Sequence, residues 1–538
     1  MSSISQQTEE LNTRTEHRRV WLLLVCVWAF YAALVLSPGS LLITSHWGDA
    51  LHLVDILDRM SQGQMPHRDF VTPIGILAFL PISALMSAGV ETGQAYLITQ
   101  LLLAGVLGAI ALAIGLRRLR WPFAICFAGL TMVTALALTH GRPEFSFAIN
   151  VHYNRWGWAI SFVALLTALF QARQAASWEG VALGLAMAAL ALIKITYFAA
   201  FLPVVVLSLT LTRQLRVLKW AAVTGVTIAL VLTLLWGVEL WRAYFSDLSY
   251  VVGADARPNA GRGVLRMVTS PKMLLPTVVV SVSVVFLARL GRGREALLLT
   301  CLYVAGAYVS DQNAGFDPLY LAFFCVILFS WAQGLEIKQR FTMMGLGVVL
   351  FVAIAPNVIN LTISPLRAAV VDRSNFVPLV IGHSRHQDIL LTGNAADASG
   401  QSFAFTDGQR SYTGRASRPP LTFLGDRLPT CQSQMSPAYF ASIADDLAER
   451  GLAQGSTLFV ADYLSPLWLF GDHPPLPGAA PWSYGGLHGI ENADFIVFPT
   501  CPNRPSVWRQ MLHDLEAVPM SELVRTPLYR LYAVEDAG

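Results

Sequence analysis

Apolar runs of roughly 15–24 residues, close to the length a bilayer requires, recur along this chain. They fall at about 20–43, 95–116, 121–139, 156–172, 179–193, 195–212, 220–238, 273–289, 296–310, 319–333 and 342–362, and predict about eleven membrane-spanning helices. A further apolar run, Val71–Val90, contains Pro73, Gly75, Pro81 and Gly89. Whether it crosses decides which side every later loop faces.

Basic residues resolve that choice. Arg14, Arg18 and Arg19 precede the first run, and Arg117, Arg118 and Arg120 follow the second. Arg173, the group Arg213, Arg216 and Lys219, the group Arg289, Arg292 and Arg294, and the pair Lys338 and Arg340 come in turn. If 71–90 is re-entrant or interfacial, all of them fall on the cytoplasmic side, as the positive-inside rule prefers. If it spans, the later clusters face outward. The sequence therefore predicts a cytoplasmic tail at 1–19, a multi-span domain at 20–362 and an outward-facing remainder. The apolar run after Arg19 is too long for the core of a cleavable signal, so it reads as a retained anchor.

From about Ile363 the pattern becomes that of a water-soluble domain. Short strand-like runs (Leu421–Leu424, Thr457–Val460, Phe495–Phe498, Leu528–Val534) alternate with helix-like stretches (Pro437–Arg450, Ser506–Leu515). They predict a C-terminal extracytoplasmic α/β domain over 363–538. Its Pro-rich stretch 471–486 reads as a surface connection, with a loop leaning over the membrane part as the alternative.

Between the first two spans lies Ser45–Gly75, too polar to cross. Leu53, Val54, Leu57 and Met60 fall on one helical face; Asp49, His52, Asp55 and Arg59 fall largely on the other. This predicts a helix lying in the interface, with loop 45–94 on the outer side.

Composition agrees: 54% of the 538 residues are apolar and 13% charged, with a mean hydropathy of +0.53, where an average soluble domain has about 25% charged residues. A net charge of +3 with no basic run interleaved with aromatics argues against nucleic acid as a partner. Cys26, Cys126, Cys301 and Cys325 sit in apolar runs as small core residues, whereas Cys431 and Cys501 lie in the polar part, where an oxidising compartment would let them pair.

The chemistry-bearing residues gather in the outer loops. Asp49 reads either as the N-cap of the amphipathic helix or as a carboxylate that takes a proton from an attacking hydroxyl. Lys194, between two short apolar runs, must reach the headgroups or meet an anion. In loop 140–156, Arg142, Glu144, His152 and Arg155 stand beside Tyr153, Trp156 and Trp158, an aromatic belt or a sugar platform. Asp247, Asp255, Arg257, Arg262 and Arg266 read as solvated, with a diphosphate or anionic acceptor held by Arg257 and Arg262 as the alternative. No P-loop, dinucleotide fingerprint or nucleophile elbow is present. His383 and His386, three apart, carry no metal signature by themselves.

The run Gly48-Asp49-Ala50-Leu51 with Asp55 and Leu57, followed by Gly63, Pro66, Arg68-Asp69-Phe70, Pro73, Gly75 and Leu77, resembles the membrane glycosyltransferases of the GT-C fold. It is most similar to the bacterial branch containing the lipid A aminoarabinose and lipopolysaccharide-core sugar transferases and, more distantly, the protein O-mannosyltransferases. Gly180–Lys194 is similar to the family's small-residue helix ending in Leu-Thr-Lys, with Ile193 where Thr is usual; Pro318–Phe324, with Tyr320, resembles its segment with an outer tyrosine. The match covers about two-thirds of the chain, and its short motifs inform fold more than substrate.

The resemblance implies a polytopic α-helical, GT-C-like membrane enzyme of a bacterial inner membrane that uses a polyprenyl-phosphate sugar donor. Asp49 would be the general base of an inverting transfer to an envelope glycan or lipid acceptor. Substrate contacts fall to His52, Arg68, Asp69, Glu144, His152 and Arg155, and the donor phosphate to Lys194 with Arg68. No cofactor is expected, and nothing in the sequence indicates a divalent cation. The alternative is a lipid-linked sugar flippase or an assembly scaffold; a transporter should show paired repeats, and none is evident.

Overall fold

The first apolar run breaks before it ends. In the computed structural model, which describes residues 2–141, 146–149, 152–172, 176–252, 254, 269–313, 318–393, 422–428 and 437–535, helix α1 (Ser2–Leu36) takes in the polar tail and stops ahead of Pro38. Proline disfavours the helical conformation in the residue before it and has no N–H to donate. Gly39 then turns the chain with φ +67°, and Leu41–Ile43 become strand β1. The expected span 20–43 is thus a helix followed by a turn and a strand.

All eleven expected runs contain helix. Those after α1 are α4 (Thr92–Arg118), α5 (Trp121–Leu136), α6 (His152–Leu169), α7 (Ser177–Ile193), α8 (Ile195–Leu211) and α9 (Leu215–Trp236), then helices Pro271–Arg289, Gly293–Gln312, Leu321–Ala332 and Ile337–Val370. Five stretches (Thr15–Leu36, Thr92–Arg118, Leu215–Trp236, Pro271–Arg289 and Ile337–Val370) are long and apolar enough to cross a membrane by length and composition. Val71–Val90 holds only a 3-10 turn (Ile76–Ala78) and helix α3 (Leu80–Ser87). At 1.5 Å per residue, α3 is about 12 Å long, far short of a bilayer.

The amphipathic stretch forms helix α2 (Trp47–Ser61) as its periodicity predicts. Both faces are buried, however: Leu53, Val54 and Leu57 on one side, Asp55 and Arg59 on the other. The second face is covered by the C-terminal region, which accounts for the difference from a helix half-open to water.

Two sheets organise that region. In the first, β1 pairs in parallel with β3 (Ile389–Thr392), which pairs antiparallel with β2 (Phe376–Pro378). In the second, strands β6 (Leu458–Val460), β7 (Phe495–Pro499), β9 (Tyr529–Val534) and β8 (Met520–Arg525) run in that order, parallel only between β6 and β7. The period-two alternation of strands divides its side chains between two cores. Leu458, Val460, Val497, Tyr529 and Leu531 join the large core shared with the membrane helices. Phe459, Ile496, Phe498 and Tyr532 form a second core with Trp508. The helix Pro437–Glu449 lies on the first side, with Tyr439, Phe440 and Ile443 in the shared core.

Candidate active site

Helix α2 presents Asp49 in its first turn, partly exposed. The N-cap is His46, held in the left-handed conformation (φ 59°, ψ 42°), so the capping reading of Asp49 does not hold. His46 stands edge-on to His140, their ring centroids 4.4 Å apart and His140 Nε2 3.2 Å from His46 Nδ1. Above this turn sits the C-terminal domain. Tyr463 packs edge-on to Trp482 at 4.3 Å, and Arg504 lies 4.8 Å over the Tyr463 ring while donating to its hydroxyl at 2.8 Å. Burial first, with the charge of Asp49 among the lesser causes, raises the Tyr463 phenol well above its ordinary value. Trp482 also meets His52, centroid to centroid 5.1 Å. Burial pushes the His52 imidazole down to about 3, and its enclosed Nε2 makes no hydrogen bond among the described residues. The turn therefore carries a neutral imidazole beside a carboxylate under an aromatic roof.

The roof is tied to α2 by buried polar contacts. Arg59 Nε bonds Asp55 Oδ1 at 2.6 Å, and the same oxygen accepts the Trp468 indole N–H at 3.1 Å. Arg59 Nη1 donates to the Leu476 carbonyl at 2.8 Å and its guanidinium lies over the rings of Trp468 and Phe70. The Pro-rich stretch adds backbone bonds, Gly478 N to Asp69 O (2.8 Å) and Val71 N to Ala479 O (2.9 Å). The leaning-loop reading of 471–486 is the correct one.

Lys194 ends α7 and precedes α8 in extended backbone (φ −159°, ψ 108°). Its ammonium donates to Asn154 Oδ1 at 3.0 Å and to Asn313 Oδ1, and lies 5.3 Å from the Tyr153 ring centre. Amide oxygens and a ring face hold it without the full charge of a carboxylate at those contacts. Gly75 presses on this break: its N–H donates to Ile193 O at 3.0 Å, and a β-carbon there would overlap the Leu192 carbonyl. Backbone contact that close requires glycine. The loop that starts from Asp49 thus ends against the break that carries Lys194.

Helix α10 (Glu239–Val252) straps this assembly. Asp247, expected to be solvated, is buried; it bonds His67 Nδ1 at 2.8 Å and the Thr72 N–H at 3.0 Å. Tyr244 donates to Ala191 O at 2.8 Å, and Tyr250 accepts from the Tyr484 N–H at 2.9 Å. The charge is spent on holding the 67–72 turn.

The other expected residues scatter. Arg68 is exposed, 3.8 Å from Asp69, whose Oδ2 closes a turn by accepting the Met65 N–H at 2.7 Å. His152 is fully buried, its Nε2 2.8 Å from Ala78 O, amid Phe79, Tyr96, Tyr153 and Trp156. Arg155 is buried too, donating to Thr139 O (2.7 Å), Tyr96 Oη (3.0 Å) and Gln100 Oε1 (3.2 Å). These two brace α6 against α4. Glu144, with Arg142, lies outside the described residues, as do Asp255, Arg257, Arg262 and Arg266. Cys501 is disulfide-bonded, and Cys431 lies outside the described residues. Sequence reasoning missed His46, His140, Tyr463, Trp482 and Arg504. The aromatic content of the Pro-rich stretch was the one available signal for Trp482.

No protein-family profile matches the chain, and no curated protein matches it in sequence. Among solved structures it is similar to ArnT from Cupriavidus metallidurans bound to undecaprenyl phosphate: 10% identity, TM-score 0.44, covering 96% of this chain and 98% of that one. The same protein in its apo state gives 13% identity and a TM-score of 0.45, covering 96% and 97%.

Proposed function

We propose that this protein is an integral-membrane glycosyltransferase. It moves a sugar from a polyprenyl-phosphate donor to a hydroxyl of an extracytoplasmic envelope glycan or lipid. The observation that carries this reading is the Gly75–Ile193 contact, which joins the loop beginning at Asp49 to the helix break at Lys194. A proton acceptor and a cation are what such a transfer needs.

In the reaction the acceptor oxygen forms a bond to the anomeric carbon as the bond from that carbon to the phosphate oxygen breaks. Displacement from the opposite face inverts the carbon. Asp49 takes the hydroxyl proton, and the leaving polyprenyl phosphate gains negative charge, which the Lys194 ammonium offsets, aided by Arg68. Trp482, backed by buried Tyr463, offers an apolar face to the sugar, and His52 and Asp69 line its approach. The donor enters from the outer leaflet, with the N-terminus cytoplasmic and the C-terminal domain outside.

The deciding assay supplies the purified full-length protein with a polyprenyl-phosphate sugar and envelope lipid extract, and follows release of polyprenyl phosphate together with glycosylated product. Absence of both across a panel of sugars would overturn the proposal.

A further inference from the structure

The far end of α2 from Asp49 carries a second cluster with no part in this chemistry. Asp58, His383 and His386 bring one ligand atom each to within 4.8 Å of the others. Asp58 comes from α2, and the two histidines from the turn between β2 and β3. Sequence spacing shows only the histidine pair; folding adds the carboxylate.

The Thr92 hydroxyl lies 3.3 Å from the Arg385 carbonyl and 2.8 Å from His386 Nδ1. When the ring carries its proton on Nδ1 and donates it to Thr92, Nε2 keeps its lone pair. That nitrogen is fully buried, has no hydrogen-bond partner among the described residues, and faces Asp58 Oδ2 at 3.9 Å. Nδ1 of half-buried His383 likewise has no partner among the described residues, and its ring stacks on His386 at 4.4 Å. In that tautomer Nε2 and Asp58 Oδ2 are two acceptors facing each other, an arrangement that a cation between them relieves. Asp58 is held in place by Arg385 Nη1 (3.1 Å) and Ser61 Oγ (3.3 Å) on Oδ1 and by Gln62 Nε2 (3.0 Å) on Oδ2.

We propose that Asp58, His383 and His386 form a three-ligand site for a zinc-type divalent cation, which pins the 383–388 turn to α2 and to the N-terminus of α4. Two imidazole nitrogens and one carboxylate oxygen suit zinc, with a fourth position left for water. Tetrahedral bonds of about 2.0–2.1 Å place ligand atoms roughly 3.4 Å apart, so binding draws the cluster inward. His383, on a half-buried turn, is the ligand that moves. Thr92 on His386 and Arg385 on Asp58 supply the outer support that metal-binding imidazoles and carboxylates ordinarily have. The site stands whether or not the protein transfers sugars.

The test uses tag-free, full-length protein in detergent, stripped with a chelator and dialysed against zinc alone. Bound metal is measured by elemental analysis and affinity by calorimetry. One equivalent is expected in the wild type, with affinity falling roughly 100-fold or more in His383→Gln and in Asp58→Asn. His383→Gln is the safer variant, because its ring is half-buried, and the melting midpoint of its zinc-free form should match the wild type. Zinc should raise the wild-type midpoint and leave that of the variant unchanged. Failure of the wild type to retain zinc, or full retention by His383→Gln, overturns the site.

Discussion

The Trp468 indole donates to Asp55 Oδ1 at 3.1 Å across 413 residues of sequence, and both side chains are buried. The same oxygen receives Arg59, while Asp55 Oδ2 has no hydrogen-bond partner among the described residues. Trp468→Phe keeps most of the ring and removes the donor. It should cost about 1–3 kcal/mol, the usual penalty for stripping a buried acceptor. Thermal melts of the purified variant check this, with Trp468→Phe expected to be nearly neutral in an Asp55→Asn background.

Gly75→Ala should be far worse than an ordinary glycine substitution outside a helix. The added carbon meets the Leu192 carbonyl, a backbone atom that cannot rotate away. The expected loss is about 1–3 kcal/mol, accompanied by weaker binding of polyprenyl phosphate, because the displaced residue precedes Lys194 by two. Gly63→Ala, with open space around it though at positive φ, is the control: its binding should be unaltered.

Asp49→Asn and Lys194→Ala separate proton transfer from phosphate binding. The asparagine variant should fold normally, since Asp49 is not the helix cap, and lose roughly two to four orders of magnitude in kcat. Lys194→Ala should instead weaken donor binding most. Wild-type turnover by Asp49→Asn would move the base elsewhere, to Asp69 or Glu144.

His52 gives a pH signature. Burial lowers its folded-state value to about 3, against 6.5 when free. Between those values the unfolded chain binds more protons, so this contribution is complete above pH 6.5 and is lost as pH falls toward 3. The slope approaches about 1.4 kcal/mol per pH unit within that window. Melting midpoints at pH 7, 6 and 5 should fall more steeply for the wild type than for His52→Phe; parallel lines would refute the assignment.

Orientation is tested with reporter fusions at the C-terminus: alkaline phosphatase should be active and a fluorescent protein dark. Cys501 is disulfide-bonded, which fits an oxidising space, and non-reducing peptide mapping should recover it linked to Cys431.

Much of this architecture was legible because long apolar runs leave little freedom: each contains helix, and Pro73, Gly75, Pro81 and Gly89 mark the run that does not cross. What escaped was anything made by contact between distant segments. Leu41–Ile43 read as helix because their strand partner lies in another part of the chain. Asp247 read as solvated because His67 and the Thr72 amide are far away in sequence. Asp49 was singled out from its local motif, whereas Trp482 comes to His52 on the same helix, with Tyr463 and Arg504 behind it, only after the C-terminal domain has docked. The histidine pair had no metal signature until Asp58 joined it.

The pairing of β1 with β3 also sets an order of events during synthesis. Leu41 emerges about 350 residues before its partner Ile389, a wait of roughly 20–70 s at ordinary elongation rates. For that interval an apolar strand edge waits on the bilayer surface, vulnerable to mispairing. Release of a functional molecule therefore depends on the last third of the chain returning to the first loop, and a truncation near residue 370 should leave helices inserted but Leu41–Ile43 without a strand partner.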